Sequence, residues 1–206
     1  MPPVLITGAS RGIGRGFVKR FGEAGWPVIS TCRDPASSGL DGEVHPPDVT
    51  DPGSAKALAE TVKGEPLDSM LNNAGIFGPR TYEYDEIDYD AWAEVLSIDA
   101  LAPIRVAAAL TDNVAASDRK LMVFISSIMG SIKQTGSSDS IFYRSAKACL
   151  NQAVNVMSHD LKSPGIASVL FHPGWVRTDL GGRGDALHRT PAIPGWDTLL
   201  ERPGHR

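Results

Sequence analysis

Val4-Leu5-Ile6-Thr7-Gly8-Ala9-Ser10-Arg11-Gly12-Ile13-Gly14 begins as an apolar run, breaks into a glycine-rich turn, and continues as a helical pattern from residue 12. Strand, turn and helix in that order are the context a dinucleotide-binding turn requires. A side chain in the turn would hold the backbone away from a pyrophosphate, whose charge is met by free N–H groups and the helix dipole. Gly8, Gly12 and Gly14 would supply the close approach, with Ser10, Arg11 and Ile13 between them. The spacing Gly-x-x-x-Gly-x-Gly differs from the Gly-x-Gly-x-x-Gly of many dehydrogenases. The plain alternative is a turn that serves only strand-to-helix packing.

Downstream, short apolar runs recur, each followed by a longer stretch of helical spacing, the pattern of a parallel sheet covered by helices. Strands are predicted near 3–7, 27–32, 43–46, 67–71, 120–126 and 166–171, and helices near 12–25, 53–64, 88–116 and 141–163. The segment 34–42 is short and rich in Gly, Ser and Pro, so the second crossover is expected to be a turn or a single helical turn. The stretch 181–206 reads as a loop-rich tail with one short helix near 195–201.

The 206 residues are 42% hydrophobic and 21% charged, which suits one domain spanning 1–206 with a full core. A formal net charge of -4 supplies no basic field for a nucleic-acid backbone, so no nucleic-acid partner is expected. Cys32 and Cys149 lie far apart, without metal-ligand spacing and too few to staple the domain, and no metal is expected. No run approaches the roughly 18 apolar residues of a membrane span, and the N-terminus has no signal-peptide pattern. A cytoplasmic protein without a membrane partner is the expectation.

Five motifs stand in order: Thr7 to Gly14, Asn72-Asn73-Ala74-Gly75, Ser127 before Gly130, Tyr143-Arg144-Ser145-Ala146-Lys147, and Pro173-Gly174 before Thr178. With them the chain resembles the short-chain dehydrogenase/reductase family over about residues 4–180. The run from His172 to Gly182 is most similar to the C-factor and sniffer-type carbonyl reductase branch. The resemblance implies an α/β fold, a Rossmann-type doubly wound parallel sheet of order 3-2-1-4-5-6, with the family's usual seventh strand missing here. Strand six would then be an exposed edge.

Tyr143 and Lys147 are spaced i, i+4, so on a helix they emerge on one face. An ammonium beside a phenol lowers its pKa toward a range useful for acid–base work, which makes Tyr143 the candidate proton donor to a carbonyl oxygen. The resemblance implies that Lys147 also reaches the nicotinamide ribose. Ser127, at the end of the fifth strand, would hydrogen-bond the substrate oxygen, with Ser126 as its competitor. The family usually carries asparagine at the place of Asp99, where it helps hold a water relay to the lysine. A carboxylate buried there would favour the ammonium while cancelling part of its effect on Tyr143, predicting a more alkaline activity profile. The alternative is that only the backbone of Asp99 matters.

An NAD enzyme of this fold normally ends its second strand with an acidic residue. Here that place falls to Cys32, followed by Arg33, and with Arg11 two guanidiniums could converge on a 2'-phosphate, favouring NADP(H) over NAD(H). Asp34 is a competing carboxylate one or two residues away. The resemblance assigns Asp48 and Val49 to the adenine, Asn72, Ala74 and Gly75 to the cofactor beyond strand four, and Pro173, Gly174, Val176 and Thr178 to the nicotinamide. Asn73 either lines the cofactor or braces the sheet. His172 is read as structural. Trp92, Met129, Phe142 and Trp175 suggest an apolar pocket.

The expected function is reduction of a ketone or aldehyde with NADPH, or the reverse oxidation of an alcohol. A low-turnover, cofactor-binding signalling protein of the C-factor type is the alternative. The long helices leave a homo-oligomer open.

Overall fold

A computed structural model of the chain describes residues 1–46, 51–80, 82–174, 176 and 180. Six strands form one parallel sheet: β1 (Val4–Thr7), β2 (Val28–Thr31), β3 (Glu43–His45), β4 (Ser69–Asn72), β5 (Leu121–Ile125) and β6 (Ala167–Phe171). The spatial order is β3-β2-β1-β4-β5-β6, as the resemblance implies. In register, Val4 faces Val28 on one side and Ser69 on the other.

Each central strand is a short continuous apolar run because both of its faces are covered. Successive side chains alternate between the faces. Leu5, Met70, Met122 and Phe124 enter one core cluster with α2 (Pro52–Thr61), α4 (Ala102–Ala109), α5 (Thr111–Ala115) and α6 (Ile141–Asp160). Val4, Ile6, Leu71, Val123 and Ile125 enter a second cluster with Phe17 and Phe21 of α1 (Gly12–Glu23). At the sheet's rim, β6 exposes Val169 and Leu170. The expectations of a missing seventh strand and of a short helix near 195–201 fall on residues 181–206, outside the described ones.

One predicted helix is broken. The span read as 88–116 is α3 (Tyr89–Leu96), a π-helical turn at Ser97–Leu101, α4 and α5. Pro103 near the start of α4 explains the first break: it has no N–H to give to the Asp99 carbonyl four residues earlier, and its ring crowds that carbonyl. The hydrophobic period runs across the break, so pattern alone reads one helix. The segment 34–42 forms only turns, as expected, and is held against the first turn of α1 by Arg15, whose guanidinium donates to the carbonyls of Ser38 (3.2 Å) and Gly39 (3.1 Å).

Asn113 on α5 fixes the approach to β4. Its Nδ2 donates to the carbonyls of Val62 (2.6 Å) and Glu65 (2.9 Å), and its own carbonyl accepts from the Leu67 N–H. Replacement by alanine leaves the buried Val62 carbonyl and the partly buried Glu65 carbonyl without their donor, so Asn113→Ala should cost about 1–3 kcal/mol in denaturant unfolding. A loss below about 0.5 kcal/mol would mean that the carbonyls find water instead.

Candidate active site

The carboxyl ends of β1 and β4 lie side by side where the strand order reverses, the place at which doubly wound sheets open a crevice. A cleft of about 410 Å³ occupies it. One end is lined by Gly8, Ser10, Arg11, Gly12 and Ile13 of the glycine turn and by Cys32 and Arg33 after β2. Asn73, Ala74 and Gly75, then Pro173, Gly174 and Val176, continue the wall. Ser127, Tyr143, Lys147 and Asp99 line the same cleft. Asp48, Val49, Trp175 and Thr178 lie outside the described residues.

The turn's fit to a dinucleotide can be judged from its own geometry. Helix α1 begins without a side-chain cap and has no acidic residue in its first turn, so its N–H groups and positive dipole end are uncompensated. Gly8 has φ +65, and a Cβ there would lie 2.7 Å from the Ala74 Cα. Gly14 is required for packing: a Cβ on it would lie 2.2 Å from the Gly8 carbonyl oxygen and 2.5 Å from Asn73 Nδ2, so its bareness lets the helix pack closely on the turn. Asn73 does both of the things open to it, lining the cleft while its Nδ2 donates to the carbonyls of Thr7 (3.0 Å) and Gly8 (3.1 Å). The Thr7 hydroxyl accepts from the N–H groups of Asn73 (2.9 Å) and Ala74 (3.1 Å), joining β1 to the loop after β4. Asn72, expected beside the cofactor, is buried within β4 instead.

At the other end, α6 turns Phe142, Tyr143, Ala146, Lys147, Leu150 and Val154 inward, the i, i+3, i+4 stripe of a helix packed on a sheet. Tyr143 and Lys147 thereby reach the end of β5. Lys147 is buried at 4% exposure; its Nζ donates to the Ile125 carbonyl (3.1 Å) and lies 3.1 Å from Asp99 Oδ2. Asp99, fully buried in the π-turn, accepts from the Ile76 N–H through Oδ1 (2.8 Å), while Oδ2 carries the ion pair without a well-aligned hydrogen bond. The side chain of Asp99 is therefore engaged, and the backbone-only reading does not hold.

Burial would push the Lys147 ammonium toward neutrality, but the Asp99 carboxylate and Tyr143 outweigh it and hold its pKa above the ordinary value. Burial raises the Asp99 carboxyl, with Lys147 and the Ile76 N–H opposing. Burial also raises the Tyr143 phenol; Lys147 draws it down, Asp99 pushes it up, and the neighbouring Ser127 hydroxyl draws it down.

Ser127 and Ser126 are separated by what each touches. The Ser126 hydroxyl is buried and donates to Asn151 Oδ1 at 2.5 Å, while Ser127 is half-buried, its hydroxyl accepting from the Met129 N–H (3.1 Å). Asn151, which carried no sequence signal, also reaches the Gly130 carbonyl (3.4 Å) and so braces the turn after Ser127. His172 Nδ1 accepts from the Ile128 N–H (3.3 Å) on the other side of that turn. Of the aromatic residues read as pocket, Trp92 and Phe142 instead join a separate cluster with Val95 and Ala146, and Trp92 Nε1 donates to Ser145 (2.8 Å). Met129 does line the cleft. Phe77, unremarked in the sequence, stacks on Tyr143 with ring centroids 4.6 Å apart.

Fold and site together define an α/β oxidoreductase whose nucleotide cleft ends at a tyrosine–lysine pair. The chain belongs to the short-chain dehydrogenase family, whose model matches residues 3–186. The C-signal of Myxococcus xanthus is 36% identical over 146 residues, covering 71% of this chain and 87% of its own. A short-chain dehydrogenase/reductase of Burkholderia multivorans with bound NADP superposes with a TM-score of 0.84 at 31% identity, over 97% of this chain and 90% of that one. The carbonyl reductase Sniffer of Drosophila melanogaster gives a TM-score of 0.82 at 28% identity, over 93% and 87%. No helix among the described residues is long and apolar enough to cross a membrane.

Two glycines of α1 separate packing from propensity. Gly14→Ala should cost about 1–3 kcal/mol because its Cβ meets backbone. Gly16→Ala, whose Cβ meets nothing within 4 Å, should stabilise by about 0.5–1 kcal/mol. Equal melting temperatures for the two variants would contradict the packing account.

Proposed function

We propose that this chain reduces a ketone or aldehyde with NADPH, or oxidises the corresponding alcohol, with Tyr143 as the acid–base group. The observation that carries this reading is the convergence of Ser127, Tyr143 and Lys147 in the cleft that the glycine turn opens. A bound nicotinamide supplies or accepts hydride there. Tyr143 gives its phenolic proton to the substrate oxygen, and Ser127 donates a hydrogen bond to the same oxygen. Lys147 stays cationic through its contact with Asp99 and favours the phenolate that Tyr143 becomes. Asp99 is the residue that sets how strongly that help is felt.

NADP(H) is the preferred cofactor in this reading. Arg11 and Arg33 line the same end of the cleft, with Cys32 rather than a carboxylate at the end of β2. Asp34 is engaged in its own turn, its carboxylate accepting from the Ser37 hydroxyl (2.6 Å) and backbone N–H (3.4 Å). The bound NADP of the Burkholderia relative agrees with this preference. The likeness to the C-signal, together with an aspartate that raises the Tyr143 phenol, supports a second reading as a slow, cofactor-binding signalling protein.

NADPH consumption against a panel of ketones, aldehydes and quinones separates the two. Tyr143→Phe should lower kcat/KM by about 10²–10⁴-fold while NADPH affinity is kept. Cofactor binding without turnover by the parent would favour the signalling reading.

Asp99→Asn tests the carboxylate. Because Asp99 raises the Tyr143 phenol, its neutralisation lets that pKa fall. Reduction, which needs the protonated phenol, should then fail at lower pH, and oxidation, which needs the phenolate, should begin at lower pH. Both limbs move toward acid. Coincident pH–rate profiles for parent and variant would show that the carboxylate's charge is not felt at the phenol.

A further inference from the structure

Arg80 lies midway along the segment between β4 and α3, exposed and lining the cleft. Its guanidinium sits over the Phe77 ring at 4.0 Å, and Phe77 in turn stacks on Tyr143 with the rings 13° from parallel. The charge is thus held within two ring spacings of the phenol. It is also anchored at two further points. One Nη donates to the Leu180 carbonyl at 2.7 Å, and the Arg80 carbonyl accepts from the N–H of Ser140, the residue that caps α6.

A guanidinium has five N–H donors, and one is used on Leu180. Among the described residues Arg80 forms no ion pair. The other acidic groups of the cleft are placed differently: Asp99 pairs with Lys147, Asp139 pairs with Arg144 at 3.2 Å, and Glu94 lines the wall from α3 without reaching Arg80. The half-buried Phe77 face keeps water from one side of the guanidinium and fixes its plane, so little side-chain freedom is lost when a planar anion docks.

We infer that Arg80 selects carbonyl substrates carrying a carboxylate or other oxyanion group a few bonds from the reacting carbon, binding that group with the donors Leu180 leaves free. This rests on the reductase reading for the reaction and on Arg80's own geometry for the anion. The carbonyl would face Ser127 and Tyr143 while the anion meets Arg80, a two-point fit that neutral carbonyl compounds of the same shape lack.

The test uses the full chain with NADPH, 4-carboxybenzaldehyde and its neutral methyl ester. The parent should favour the acid by at least tenfold in kcat/KM, chiefly through KM. Arg80→Gln should reduce that ratio at least tenfold, and Arg80→Lys should restore part of it. A second arm needs no turnover: binding of benzoate and of neutral benzamide, measured by calorimetry in the presence of NADPH. Benzoate should bind the parent at least tenfold more tightly than it binds Arg80→Gln, and benzamide should bind both alike. If neither aldehyde is reduced but benzoate binds through Arg80, the reductase reading falls and the anion site stands. An acid-to-ester ratio unchanged in Arg80→Gln, or benzoate binding indifferent to it, would overturn the anion site whether or not reduction occurs.

Discussion

The structure of the site depends on one buried ion pair. Lys147 and Asp99 are taken out of water, at 4% and 0% exposure, and their nitrogen and oxygen stand 3.1 Å apart. Two isolated ions could not be buried so; the desolvation of each would cost several kcal/mol without the other. Their meeting joins three elements that are distant in sequence: the π-turn that presents Asp99, the helix that presents Lys147, and the end of β5, whose Ile125 carbonyl accepts a hydrogen bond from the ammonium. Gly75 belongs to the same assembly. A Cβ there would lie 3.3 Å from both Asp99 carboxylate oxygens, so the loop after β4 can pass close enough for the Ile76 N–H to bind one of them.

Close approach governs the opposite end as well, without charge. Gly8, Gly14, Asn73 and Thr7 form a small lattice in which every side chain either is absent or bonds backbone. The outcome is a tightly packed turn whose following helix starts without a side-chain cap beside the cleft. The two ends are tied through β4: the loop residues that Thr7 and Asn73 fix run directly into Gly75 and Ile76, the residues that meet Asp99. A disturbance of either end is therefore felt along one short segment, residues 73–76.

How much of this was legible in the sequence follows from the range of each interaction. The six strands and the glycine turn depend on local period and on glycine spacing, and the predicted strand ends lie within one residue of the observed ones, except that β4 starts at Ser69, two residues later than expected. Tyr143 and Lys147 were legible because i, i+4 on one helix is also a local relation. The helix at 88–116 was misread because Pro103 breaks it by removing one hydrogen bond, leaving the hydrophobic period untouched. The packing role of Gly14 is not legible because its neighbours, Gly8 and Asn73, include one 59 residues away in the chain. Phe77, Arg80 and Asn151 act through contacts across the fold and have no motif around them to announce those contacts.

Asp99 is where local and long-range readings meet. An aspartate in place of the usual asparagine is visible in the sequence, but its consequence depends on whether the side chain is buried and what it faces. Buried against Lys147, it divides the ammonium's field between carboxylate and phenol. The phenol is further removed from water by Phe77, whose ring covers its face. Tyr143 thus stands between two neighbours that favour its ionised form, Lys147 and the Ser127 hydroxyl, and two influences, burial and the Asp99 charge, that oppose it. An acid that must give up a proton to a carbonyl oxygen gains from holding it until substrate closes the cleft, since a phenol ionised in advance has nothing to donate. In the proposed chemistry burial and the Asp99 charge therefore act in one sense, holding the proton on the Tyr143 hydroxyl against the pull of Lys147 and Ser127.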